Sequence, residues 1–198
     1  MKLPAPGREG SMSVEKALQE RRSVRSFSAT PLSLQEVSQL LWAAQGITSA
    51  DGGRTTPSAG AFYPLEIFLV VGAVQDLAAG VYRYNLRLHE VDEIAAGDMR
   101  AALVSAAFDQ AWMLDAPAAI VIAAVFERTT RKYRERGKRY VAMEAGHAAQ
   151  NISLQAVSLG LGTCVVAAFD DLQVREVLQL PAGAEVLNIL PVGHPPTH

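Results

Sequence analysis

Residues 140–165 run YVAMEAGHAAQNISLQAVSLGLGTCV, and the order of features within them decides the kind of fold. From Tyr140 to Leu159 small and apolar residues recur without a proline, which predicts one long helix, and Gly160 supplies its stop. Gly160-Leu161-Gly162 then begins like a dinucleotide fingerprint, but Val165 stands where the third glycine belongs. The order is also reversed. That fingerprint needs a strand, a loop and then a helix N-terminus to meet the pyrophosphate. Here a helix leads into the apolar run Thr163–Phe169, which reads as a strand. A Rossmann site is therefore excluded, and both glycines read as a helix stop that enters a strand.

Outward from this stretch the chain is mixed α and β without the regular alternation of a doubly wound sheet. Upstream, Ala118–Val125 is wholly apolar and reads as a strand buried on both faces. Glu127–Arg139 between them is strongly charged. Downstream, Asp170 or Asp171 caps a short helix reaching about Leu180, and Pro181-Ala182-Gly183 turns into a last strand, Val186–Val192. In the N-terminal half a helix is expected from near Ser13 to Arg21–Arg22. Ser33-Leu34-Gln35-Glu36 fits a capping box, the helix it opens follows Leu34, Val37, Leu40, Leu41 and Ala44, and Gly46 ends it. Ile67–Val71 reads as a strand, Val81–Tyr84 and Leu86–Val91 as a hairpin around Asn85, and Met99–Phe108 as a helix. No internal repeat is present.

Composition narrows the class. The 198 residues are 49% hydrophobic and 19% charged, which fits one domain with a real core and is the reverse of a disordered chain. Residues 1–12, rich in Pro, Gly and Ser, are expected to be a flexible arm before a domain spanning 13–198. A formal charge of −2 gives no global attraction to nucleic acid or to an anionic membrane. The longest apolar run, around Ala116–Phe126, is too short to span a bilayer, and the first residues carry no signal-peptide core. A cytoplasmic location is the expectation. The single cysteine, Cys164, allows no intramolecular disulfide, and His89, His147, His194 and His198 lack metal-ligand spacing, so no metal is expected. His147, among small residues, reads as a core histidine. A mean hydropathy of +0.13 suggests apolar surface buried against a partner.

Three segments point to chemistry. Arg21-Arg22-Ser23-Val24-Arg25 sets guanidiniums and a hydroxyl within one turn, either a fork-like anion site or a basic helix end that suits the helix dipole. The loop Asp51–Tyr63, containing Pro57-Ser58-Ala59-Gly60, is long for a connector, which favours a functional role. Arg128, Arg131, Lys132, Arg134, Arg136, Lys138 and Arg139 form a basic run, a solvated face or an anion-attracting rim, with too few aromatics for a nucleic-acid platform. Neither a nucleophile elbow nor a P-loop is present.

Together these residues resemble a known family. Arg21–Arg25, Pro57–Ala61, Glu144-Ala145-Gly146-His147-Ala148-Ala149-Gln150-Asn151 and Gly160–Cys164, in this order, are similar to the motifs of the nitroreductase family, and within it to its SagB-type dehydrogenases. The resemblance runs from about Ser13 to Pro195. It implies an α+β fold, a central mostly antiparallel sheet flanked by helices, and an intertwined homodimer with FMN at the interface. Carried over by motif, Arg21 and Ser23 hold the phosphate and ribityl chain with Arg22 beside them. Arg25 sits near the phosphate or the pyrimidine edge. Pro57, Ser58, Ala59 and Gly60 approach from the other subunit, and Gly162, Thr163, Cys164 and Val165 line the ring. The small residues of Ala142–Ala149 suit either a dimer core or close packing within the chain. His194 stands where the family usually places a basic phosphate contact, and protonation beside an anion would let it serve.

The chemistry so implied belongs to the flavin, with no protein nucleophile expected. The first reading is reduction of small nitro or quinone acceptors with NAD(P)H. The second is oxidation of azoline rings in a modified peptide beside a cyclising partner, in which Lys132 assists proton removal and Tyr133 relays a proton. The third is a flavin-binding protein without turnover.

Overall fold

β4, Ala118–Val125, is the centre of the molecule, and its alternation explains the two layers around it. Ala118, Ile120, Ile122 and Ala124 belong to one core cluster, and Ala119, Val121 and Ala123 to the other. Successive side chains of a strand point to opposite faces, so an apolar run with no polar member requires cover on both. β1, Leu65–Val71, repeats the pattern, with Ile67, Leu69 and Val71 on the first face and Phe68 and Val70 on the second. β1 and β4 pair antiparallel over their whole length.

The computed structural model describes residues 1–196; His198 and the end of the expected 13–198 span lie outside the described residues. β2 (Gly80–Asn85), β3 (Glu90–Ala96), β5 (Gly162–Thr163) and β6 (Ala184–Gly193) complete a six-stranded sheet. Its order is β3-β2-β1-β4-β6-β5, and every ladder is antiparallel. α2 (Leu34–Gln45) and the long α5 (Glu135–Ser158) cover the first face. α3 (Arg100–Ala106) and α6 (Asp171–Leu178) cover the second. α1 (Val14–Glu20) packs on α5, and α4 (Glu127–Tyr133) leads into it. This is the expected α+β architecture with helices on an antiparallel sheet. No helix among the described residues is long and apolar enough to cross a membrane.

Local signals set the ends of several elements. The capping box of α2 is present in full: Glu36 N–H donates to Ser33 Oγ at 3.2 Å, and Ser33 N–H to Glu36 Oε2 at 2.7 Å. Asp170 caps α6 by accepting from Leu172 and Gln173 N–H.

Four expectations change. The first residues are docked rather than loose: Leu3 N–H donates to His89 O at 3.0 Å, Val91 N–H to Met1 O at 2.8 Å, and Leu3 is only 4% exposed. Gln39 holds Gly7 through both its backbone groups. Main-chain pairing with the edge of β3 gives this segment partners that its composition does not reveal. The second arm of the hairpin starts at Glu90, because residues 86–89 are spent on the turn. Thr163–Phe169 is a strand only at its start; beyond β5, only Val166 makes a bridge, with Ile189. His147 is exposed. His89 is the satisfied histidine, bonded to Ser38 Oγ at 2.7 Å and Tyr84 Oη at 2.8 Å.

Candidate functional site

Two clusters emerge from the predicted residues. The first is built where α1 ends. Arg22 turns its guanidinium back, Nη1 donating to Gln19 O and Arg21 O, each at 2.8 Å, and so satisfies carbonyls left open at the helix end. Ser23 then forms a parallel bridge with Thr163, and Val24 N–H donates to Thr163 O at 3.0 Å. The register needs Gly162, because a Cβ there would lie 2.7 Å from Val24 Cβ. Residues 140 apart in the chain thus share one rim.

On that rim Arg21 is half-buried and Ser23 exposed, and neither side chain has a hydrogen bond or ion pair among the described residues. Cys164 is buried, Val165 is 44% exposed, and neither backbone N–H donates to a main-chain acceptor. Arg25 has its guanidinium 5.9 Å from the centre of the Trp112 ring, which stacks on Phe27. His194 reaches the rim through the chain, Ser28 N–H donating to its carbonyl at 2.8 Å. Its ring, however, faces Glu36, Nε2 to Oε1 at 3.5 Å, the carboxylate that caps α2.

The second cluster is the loop after α2. Asn151 Nδ2 donates to Thr55 O and Thr56 Oγ1, both at 3.1 Å, and Thr56 Oγ1 donates to Ala44 O at 2.7 Å. Glu144 Oε1 accepts from Ala59 N–H at 2.9 Å, and Ser58 Oγ accepts from Tyr63 N–H at 2.8 Å. These contacts hold a strained backbone: Gly60 has φ +62°, Ala61 +55° and Tyr63 +47°. A Cβ on Gly60 would meet Phe62 at 2.8 Å and Tyr133 Oη at 2.9 Å. Tyr133 packs edge-on against Phe62 and Tyr140, and Lys132 Nζ stands 5.9 Å from the Phe62 ring centre. The Lys132–Tyr133 pair and Pro57–Gly60 therefore form one unit.

Glu144 and Asn151 anchor this loop, contacts that their motif alone does not reveal. Both stand seven residues apart on one stripe of a small-residue helix, a spacing that signals a shared target. Glu144 is only 4% exposed, and burial pushes its carboxyl above the ordinary value. The Ala59 N–H, the Ser58 hydroxyl, His147 and Arg54 pull it back. Among the described residues no hydrogen bond or ion pair joins this cluster to the Arg21 rim.

Residues 18–194 match the model of the nitroreductase family. The protein named Putative nitroreductase MJ1384, of Methanocaldococcus jannaschii, is 45% identical over 98% of this chain and 96% of its own length. Among solved structures, a putative nitroreductase from Ralstonia eutropha JMP134 superposes with a TM-score of 0.85 at 28% identity, over all of this chain and 90% of that one. The Escherichia coli microcin synthetase McbBCD complex with truncated pro-MccB17 bound gives a TM-score of 0.78 at 26% identity, over all of this chain and 79% of that one.

Proposed function

This chain belongs to the nitroreductase family, and from that premise we propose an FMN-dependent oxidoreductase whose flavin sites are each completed by two copies of the chain. The observation that carries the reading is the Ser23–Thr163 bridge, which brings together two short segments: one carries Arg21, whose guanidinium has no partner among the described residues, and the other carries Cys164 and Val165, whose backbone N–H groups have no main-chain acceptor among them. This set fits a flat ring that carries a phosphate ester. Arg21 and Ser23 hold the phosphate, in the charge-assisted manner typical of guanidinium and phosphate. The Cys164 and Val165 N–H groups donate to the polar edge of the ring, and Val165 gives it an apolar floor. When bound, FMN would supply the redox chemistry, hydride transfer between a reduced nicotinamide and a nitro or quinone acceptor. The Pro57–Gly60 loop closes the site from the second copy, and Glu144 holds that loop in its strained shape. Arg22 and His194 stand in the outer ring of the site, each already engaged within the chain.

Purified protein should be yellow or take up FMN, and its flavin band should bleach when NADH or NADPH is added without oxygen. A colourless chain that cannot be reconstituted overturns the proposal. Bound flavin that neither donor bleaches points instead to binding without turnover.

A second reading is favoured by one contact set, the packing of Lys132 and Tyr133 against the Phe62 side of the loop. There Lys132 would draw a proton from an azoline ring of a modified peptide and Tyr133 would relay it, in a complex with a cyclising partner. The likeness to the McbBCD complex supports it. An azoline peptide oxidised by the wild type but not by Lys132→Ala, with bleaching by NAD(P)H retained in both, would select this reading.

A further inference from the structure

Four guanidiniums line a cavity of about 340 Å³ whose lining includes none of the residues assigned to the flavin. Its charged lining is Arg54 from the loop after α2, Arg83 of β2, Arg87 of the β2–β3 turn and Arg128 of α4, with Glu66 of β1 and Asp92 of β3. The carboxylates do not balance this set. Glu66 is already shared, one oxygen accepting Nε and Nη2 of Arg83 at 3.0 and 2.7 Å, the other Nη2 of Arg128 at 2.5 Å. Asp92 lies opposite Arg83 in the ladder.

Two guanidiniums are left without a carboxylate. Arg54 donates one N–H to Gln45 Oε1 at 2.9 Å and lies flat over the Tyr63 ring, 3.8 Å from its centre. Arg87 has no hydrogen bond or ion pair among the described residues. Burial is the main cause holding the Arg54 guanidinium below its ordinary range; Tyr63 and Glu66 oppose it, while Arg128 and Arg87 add to it. Positive charge is thus crowded here in a chain whose net charge is −2. Arg54, fixed by its stacking on Tyr63, is also organised before any ligand arrives.

We propose that this cavity binds a phosphate monoester dianion, gripped by Arg54 and Arg87 with Arg128 and Arg83 behind them. The local excess of two positive charges matches a dianion, and the planar guanidinium fork matches phosphate oxygens. Arg128 Nη1 also donates to Tyr63 O at 3.1 Å, so the anion site shares a wall with the flavin loop. The phosphate has two possible sources, the 2′-phosphate of NADPH or a free phosphorylated metabolite. Binding of phosphate rests on the cavity alone; only the first source rests on the reductase reading above.

The test uses the full chain saturated with FMN, so that the Arg21 rim is occupied. Calorimetric titration with inorganic phosphate and with 2′,5′-ADP should show binding, weakened roughly tenfold in Arg87→Gln and in Arg54→Gln. An unchanged flavin spectrum will show that the variants are folded, and Arg87, without partners, carries little folding risk. Phosphate that fails to bind the wild type, or binds Arg87→Gln as tightly, overturns the proposal. If KM for NADPH rises in Arg87→Gln while KM for NADH holds, the dinucleotide is the source. If neither KM moves while phosphate affinity falls, a free phosphorylated ligand is. Failure of the reductase reading appears separately, as flavin that neither donor bleaches.

Discussion

Arg21 and Arg22 are adjacent and equally basic. Their neighbours separate them. Arg22 spends its guanidinium on Gln19 O and Arg21 O, while Arg21 keeps its donors free. Loss of a charge-assisted hydrogen bond costs about 1.5–3 kcal/mol, so Arg21→Ala should weaken FMN binding by roughly ten- to a hundredfold. Arg22→Ala should change it by no more than about threefold, as a flavin fluorescence titration of the two variants will show; equal losses would contradict the assignment. Glu144 makes a second prediction at this scale. Because burial raises its carboxyl above 4.5, the folded chain binds that proton more tightly than the unfolded chain. The stabilisation is complete below 4.5 and is lost as pH rises through the raised value. Glu144→Gln keeps an acceptor for Ala59 N–H but cannot titrate. Wild-type Tm should therefore fall relative to this variant as pH rises through that window, and parallel Tm profiles would refute the argument. Glu144→Ala, which leaves Ala59 N–H unpaired, should cost about 1–3 kcal/mol. None of these contacts was legible in composition, since each depends on a partner 85 to 140 positions away or on how a side chain turns back.

Elements with local causes were legible, and those with distant causes were not. The capping box fixed the start of α2 in four residues, and the two-faced apolar run fixed β4. Thr163–Phe169 misled because apolar residues support a strand only where a neighbouring strand supplies hydrogen bonds; beyond Thr163 only Val166 finds one. The docked N-terminal segment failed in the opposite sense, as Pro and Gly hide the pairing of Leu3 with His89. Gly162, the first residue of β5, sets how closely that strand meets the chain after α1. Gly162→Ala brings a Cβ within 2.7 Å of Val24 and must push the Ser23–Thr163 bridge apart. Such overpacking costs about 1–3 kcal/mol, and here it should also lower FMN occupancy, read from the ratio of flavin to protein absorbance. A variant with full flavin and unchanged Tm would show that the bridge is dispensable.

On the proposed reading the Arg21 rim and the Pro57–Gly60 loop are two halves of a cofactor site, and among the described residues no hydrogen bond or ion pair joins them. That reading requires a two-fold dimer that joins each half to its complement in the partner. Light scattering should then give twice 21.2 kDa for the flavin-loaded protein. Arg21→Ala and Gly60→Val should each lose flavin alone. Mixed, dissociated and reassociated, they should recover about a quarter of the sites, because half the dimers are mixed and each of these pairs one intact rim with one intact loop. No recovery would mean that each site is built within a single chain.

The sequence by itself determined the elements whose causes lie within a few residues, namely caps, helix stops and the buried central strand, along with the ordered motifs that carry the family. It also named the cofactor candidates, because motif order survives without coordinates. The tertiary structure decided which candidates meet: Ser23 with Thr163, Glu144 with Ala59, Tyr133 with Gly60, and Arg54 and Arg87 around one cavity. The physical reason is range. Helix caps and strand alternation are set by backbone geometry over a few residues, whereas charge balance and hydrogen-bond partners depend on groups that only the folded chain brings within a few ångströms.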